Sequence, residues 1–158
     1  MLQELAEAAR LATERRLGTY GGWIDGPQQE ATGHFRTEKI DGRWWLVDPE
    51  GYLFFSVGAC MAGHESETKL TQKRIDEGFF AYYPDDEDAL RWVGRQKRPG
   101  AVDLLQFPAM NYMRCFWEKW KVRSRAGIHD RMRAWGLNSL GSWSDKNLHA
   151  DARTPYCL

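Results

Sequence analysis

The sequence predicts an α/β fold, with strands and helices alternating after an opening helix and an exposed β-hairpin. Three observations carry this expectation. Asp41-Gly42 separates two short runs of strand-forming residues, 34–40 and 43–47, and marks a hairpin. Leu53-Phe54-Phe55-Ser56-Val57 is nearly continuous in apolar residues, a pattern that suits a strand buried on both faces. Helical periodicity between 110 and 135 is followed by Gly136 and a short strand, which is the order of a strand–helix–strand unit.

The elements follow in chain order. Leu5, Ala8, Ala9, Ala12 and Leu17 recur near helical spacing and predict a helix over 3–17. Gly18, Gly21 and Gly22 end it, and residues 18–33 read as a loop. The hairpin comes next, with Trp44 and Trp45 on its return strand; one is expected to face the core and the other to pack on the first helix. Asp48-Pro49-Glu50-Gly51 is a second turn, because Pro presets φ at its second position. Residues 52–60 then predict a third, buried strand. The stretch 62–110 is a long excursion with short helices expected near 68–76 and 86–94. Residues 110–123 predict a helix with Met113, Phe116, Trp117 and Trp120 on one face. Gly127 is expected to interrupt it, before Ile128, Met132 and Trp135 resume the period. Gly136 is a stop signal. A strand over 137–141, a turn of helix within 146–153 and an apolar start at Thr154 complete the order.

Composition narrows the function classes. Among 158 residues, 22 basic side chains balance 22 acidic ones, so no overall charge favours nucleic acid or an anionic membrane as partner. The three cysteines, Cys60, Cys115 and Cys157, form no CxxC pair and no zinc spacing, and read as free thiols. The acidic first residues do not resemble a signal peptide, and no apolar run reaches the roughly 18 residues of a membrane span. The segment as given therefore reads as cytoplasmic. Eight Trp, six Tyr and seven Phe are many for this length, and such rings fill cores or stack on sugar faces.

Two stretches carry a family resemblance. Residues 33–58, GHFRTEKIDGRWWLVDPEGYLFFSVG, and residues 131–145, RMRAWGLNSLGSWSD, resemble barrel-type glycoside hydrolases, in particular the β-agarases of family 50. The first is similar to that family's hairpin leading into the first barrel strand. The second is similar to its helix leading into the second strand, where an RLxxWGFNTIGNWSD-like pattern is usual. The resemblance implies a partial (β/α)8 TIM barrel: the first two strands and the start of the third at Thr154-Pro155-Tyr156, preceded by the N-terminal helix and hairpin. It divides the chain into an N-terminal helix and loop, 1–32, and the opening of a glycosidase domain, 33–158. Two departures fall at strand ends. Gly58-Ala59-Cys60 stands where Gly-Val-Asn is frequent, and Ser142 stands where Asn is usual.

The same resemblance implies the chemistry. Retaining glycosidases use two carboxyl groups about 5–5.5 Å apart, one as nucleophile and one as acid/base. The family's two catalytic Glu lie near the fourth and seventh strands, beyond Leu158, so no catalytic residue is assigned here and the segment is expected to be inactive alone. A local pair of Glu65 or Glu67 with Asp145 is the weaker alternative. The candidate substrate-binding residues are Trp143, Asp145 and His64, each just past a predicted barrel strand on the catalytic face. Trp143 either stacks on a sugar ring or packs under a loop. Asp145 either accepts hydroxyl hydrogen bonds or caps the next helix. His64 either binds a hydroxyl or is structural. Asn138 is expected to brace the start of its strand. No cofactor and no metal is implied, since His149 and Asp151 lack a third ligand. The expected partner is a poly- or oligosaccharide such as agarose, with neither nucleic acid nor membrane. The other readings are a non-catalytic carbohydrate-binding or scaffold module, and a small α/β interaction domain.

Overall fold

A computed structural model describes residues 1–63, 68–80 and 103–157. The predicted helix near 86–94 lies outside these residues, as do His64, Glu65 and Glu67. The chain divides into two compact units: Met1–Gly63 with Arg125–Leu158, and His64–Ser124.

In the first unit, helix α1 (Leu2–Glu14) leads into the loop that precedes the hairpin. Strands β1 (Arg36–Ile40) and β2 (Arg43–Val47) pair antiparallel, with Ile40 opposite Arg43. Asp41 and Gly42 have φ of 49° and 81°, as a two-residue hairpin turn demands. The predicted third strand divides in two. Strand β3 (Leu53–Phe54) continues the antiparallel sheet against β2, while β4 (Gly58–Ala59) leaves it and pairs parallel with β7 (Ser139–Leu140). Residues 55–57 are the crossing between two sheets. Hence Leu53 and Phe54 are buried but Phe55 is 74% exposed, against the expectation of a strand covered on both faces. An apolar run shows that burial is favoured, but it does not reveal that the chain changes partner midway. Trp44 also departs from expectation: it is 72% exposed and faces neither core nor helix, while Trp45 is half-buried.

The parallel ladder continues past β7. Leu140 N–H donates to the Pro155 carbonyl and Cys157 N–H to the Leu140 carbonyl, so Tyr156 starts a third parallel line. Between β4 and β7 the chain returns through a helix, α4 (Trp120–Ala134), whose second part lies in this unit. That part carries Ile128 and Met132 onto Leu140 and Leu148, the last from the short helix α5 (Lys146–Ala150). Leu140 and Leu148 are fully buried, and each such side chain stabilises the fold by about 1.5–3 kcal/mol relative to exposure. The predicted stop at Gly136 is a Schellman cap: Leu137 N–H donates to the Met132 carbonyl, Gly136 N–H to the Arg133 carbonyl, and Gly136 has φ 77°. Arg133 holds α1 against this helix by donating to the carbonyls of Ala12, Leu17 and Gly18. Arg131 forms an ion pair with Glu4 of α1.

In the second unit, β5 (Thr68–Leu70) pairs antiparallel with β6 (Asp103–Leu105). Helix α2 (Gln72–Asp76) is capped by Thr71, whose hydroxyl accepts from Arg74 N–H. Helix α3 (Phe107–Phe116) buries Ala109, Met110, Tyr112 and Met113. A 3₁₀ turn, Trp117–Lys119, then joins it to α4 (Trp120–Ala134). The predicted break at Gly127 is therefore misplaced: α4 runs through that glycine, and the break lies at Trp117, with φ 49° and ψ −129°. A helical glycine costs only about 1 kcal/mol, which buried flanks such as Ile128 and Met132 outweigh. The turn also swings Trp117 out of the expected apolar face, to 73% exposure, while Met113 and Trp120 stay buried. Among the described residues no helix is long and apolar enough to cross a membrane.

One buried titratable cluster lies in the first unit. His129 on α4 is almost fully buried, with Nδ1 2.8 Å from Thr154 Oγ1 and Nε2 3.7 Å from Asp151 Oδ2. Burial, and next the charge of Arg153, hold its pKa below the ordinary 6.5; Asp151 and Asp130 pull the other way and do not prevail. The unfolded chain takes up this proton near pH 6.5 while the folded chain resists it. The contribution to stability is thus complete above that value and falls as pH drops through the lower folded pKa. Urea unfolding midpoints should decline from pH 7.5 to pH 5 in the wild type. His129→Gln should flatten the decline, and an unchanged slope would count against this assignment.

Candidate functional site

The loops that follow β4 and β7 meet at the C-terminal ends of those strands. Met61 N–H donates to the Ser142 carbonyl at 2.9 Å, and Asp145 N–H to the Ala62 carbonyl at 2.8 Å. Ser144 Oγ donates to the Gly141 carbonyl and accepts from Ala62 N–H. These bonds hold two adjacent loops as one rim.

Two residues on that rim are strained. Met61 has φ 56° and Trp143 has φ 61°, a left-handed conformation that costs a non-glycine residue about 1–2 kcal/mol. Both side chains stand in solvent, at 73% and 83% exposure. Two large apolar side chains held outward at a backbone cost are a reason to look for a ligand there. Trp143 does not pack under a loop. Its indole offers a flat apolar face to solvent, the surface on which a sugar ring can stack.

Asp145 caps α5. Its Oδ1 accepts from Asn147 N–H at 2.9 Å and from Asn147 Nδ2 at 2.8 Å. The capping role is therefore occupied, and any hydroxyl contact would be shared with it. The structure thus places Trp143 and Asp145 on one rim, and His64 lies outside the described residues. Sequence reasoning missed Met61. Nothing local to its residue type signals a positive φ, and only the register of β4 with β7 sets it beside Ser142.

Asn138 fixes the base of the site. It is buried, and its Nδ2 donates to the carbonyls of Gly21 and Phe55, at 3.1 and 3.0 Å. Its Oδ1 accepts from Val57 N–H and from Ser139 Oγ. One side chain thus joins the N-terminal loop, the crossing at 55–57 and the start of β7. His149 stacks on Tyr156, and Asp151 pairs with Arg125; among the described residues no cluster of three metal-ligating side chains occurs.

Alternation along β7 sets its two faces. Leu140 meets the helices, so Ser139 and Gly141 face the other way. On that side an open recess of about 750 Å³ is lined by Tyr20, Phe35, Phe54, Ser56 and Ser139. Its lining extends along the third parallel line, Pro155 to Cys157, and includes neither Met61 nor Trp143.

Parallel strands joined by a helix, with loops gathered at the strands' carboxyl ends, define a segment of a parallel α/β fold, the class that binds ligands at that end. Known proteins narrow the class. β-Agarase B of Vibrio sp. (strain JT0107) is 33% identical across 97% of this chain and 19% of its own length. β-Agarase A of the same strain is 29% identical across 73% of the chain and 12% of its own length. Two solved structures superpose over 98% of the chain and 26% of theirs: the agarase AgWH50C, with TM-score 0.73 and 31% identity, and PfGH50B, with TM-score 0.74 and 28% identity. No family model matches. The chain is a β-agarase-like segment of the glycoside hydrolase family 50 kind. It spans about a fifth or less of the length of the curated relatives it matches, and about a quarter of the solved structures.

Proposed function

We propose that this chain forms the opening of a (β/α)8 barrel glycosidase, in which residues 33–158 begin the barrel and 1–32 precede it. In this reading β4, β7 and the line begun at Tyr156 are the first three barrel strands. The chain supplies part of the wall that binds a polysaccharide such as agarose. Cleavage follows the retaining two-carboxylate route, with both catalytic Glu on later strands, so the chain alone does not hydrolyse its substrate.

The observation that carries the reading is the parallel ladder from β4 through β7 to Tyr156, with an outward Trp143 at its carboxyl end. Trp143 stacks on a sugar ring, and Asp145 orients the loop by capping and accepts a hydroxyl. His64 joins them on its sequence position alone, just past the first strand.

Addition of neoagaro-oligosaccharides should quench the tryptophan fluorescence of the chain, with no reducing sugar released from agarose. Trp143→Ala should weaken that binding about tenfold, on the order of 1.4 kcal/mol, with the unfolding midpoint unchanged. Equal binding by wild type and Trp143→Ala would remove Trp143 from the wall, and reducing-sugar release by the chain alone would overturn the assignment of catalysis to later strands.

A further inference from the structure

The rim holds one large side chain that the proposed wall does not use. Met61 follows β4, and the backbone around it is tied to the loop after β7. Its N–H donates to the Ser142 carbonyl, Ala62 N–H donates to Ser144 Oγ, and the Ala62 carbonyl accepts from Asp145 N–H. One residue earlier, Cys60 Sγ lies against Gly141, where a Cβ would stand 2.7 Å from it. These contacts fix the backbone at 60–62 and over-determine the left-handed φ of 56° at Met61.

That conformation does not serve packing. Ala62, the next residue, packs against the core of Ile128, Met132, Leu140 and Leu148, while Met61 is 73% exposed. The loop thus reaches the core with its small residue and leaves its long apolar one in solvent. Glycine would hold the same backbone without the steric cost. Trp143 repeats the pattern across the hydrogen bond: it has φ 61° and stands 83% exposed, while Ser144 beside it is buried. Two adjacent loops therefore each place an exposed apolar side chain at a strained position. Ser144 and Asp145, the polar residues that follow, are engaged in the loops themselves. Ser144 Oγ bonds the Gly141 carbonyl and Ala62 N–H, and Asp145 Oδ1 caps α5.

We propose that Met61 is a second substrate-contact residue, which packs its thioether against the sugar unit that stacks on Trp143. The proposal rests on the reading of this rim as a polysaccharide wall. Met61 N–H is bonded to the peptide group that joins Ser142 to Trp143, so the two side chains start from neighbouring backbone. An exposed Met is long, unbranched and quick to change rotamer, so it can follow a ring seated on the indole. Its sulfur is only a weak acceptor for a sugar hydroxyl. The ligand it favours is therefore a sugar unit that turns a face of C–H groups to the two loops and its hydroxyls to solvent.

Calorimetric titration of the chain with neoagarohexaose, beside urea unfolding, tests the contact. Met61→Gly keeps the N–H that bonds Ser142 and removes the left-handed strain. Its unfolding midpoint should equal or exceed that of the wild type, while its Kd rises about five- to tenfold. Met61→Gln, similar in length but polar, should weaken binding to the same degree. Met61→Leu should stay within about twofold of the wild type, because volume and apolar character are kept. Binding lost without loss of stability is a result that a purely structural role would not give. Wild-type affinity in Met61→Gly and Met61→Gln, with binding lost in Trp143→Ala, would overturn the proposal and leave Trp143 in the wall. A lower midpoint together with lower affinity in Met61→Gly would assign Met61 to the fold instead. Absence of binding by the wild type would remove the wall and this contact together.

Discussion

Replacing Asn138 by Ala is expected to lower stability by about 3–5 kcal/mol, the sum of several buried groups left without partners. The carbonyls of Gly21 and Phe55 would lose their donor, and Val57 N–H would lose its acceptor. These groups lie near a buried side chain, so water does not readily replace it. Asn138→Asp separates the two halves of the amide. It keeps the acceptor for Val57 but turns a carboxylate towards two carbonyls, and should be at least as damaging. Urea unfolding followed by tryptophan fluorescence measures both variants. A loss below about 1 kcal/mol for Asn138→Ala would mean that the four bonds contribute no more than one ordinary hydrogen bond.

The second large effect is expected at Gly58. A Cβ there would lie 2.4 Å from the Ser139 carbonyl oxygen and 3.0 Å from its carbon. Both atoms belong to the backbone of the paired strand, so no side chain can rotate away. Gly58→Ala must push β4 from β7, and should cost about 2–4 kcal/mol from overpacking and lost ladder bonds. The consequence reaches the site. Met61 and Ser142 are bonded three residues beyond this pair, so separation of the strands should also abolish the oligosaccharide-dependent quenching. Trp143→Ala, in contrast, should lose quenching while keeping stability. If Gly58→Ala melts like the wild type, the close approach of the two strands is not a constraint on the fold.

Residues 41–42 and 132–137 show what was legible. An Asp-Gly turn and a helix-stopping glycine are decided by φ at one or two positions, and their neighbours in sequence are also their neighbours in space. The breaks inside 52–60 and at Trp117 were not legible. In both cases an apolar pattern continues through a point where the backbone changes direction. Periodicity records which faces are buried, but not which segment buries them. The aromatic residues show the same limit, for Trp44, Phe55 and Trp143 are all largely exposed, while Trp120 is buried.

The candidate site was legible in part. Trp143 and Asp145 were singled out as candidates from their place after a strand, and the structure sets both on one rim. Met61 was not found. Its place depends on register between strands far apart in the chain, which no local pattern encodes.

The sequence by itself determined the α/β order, the hairpin, the helix stop and the resemblance to family 50 β-agarases, because each rests on short-range backbone preferences or on contiguous motifs. Only the tertiary structure decided that 53–59 serves two sheets, that Asn138 joins three segments, and that Met61 and Trp143 are held outward in strained conformations. Those features arise where parallel strands align side by side. Alignment is set by the burial of Leu140 and Leu148 against α4, and by hydrogen bonds across more than eighty residues of intervening chain.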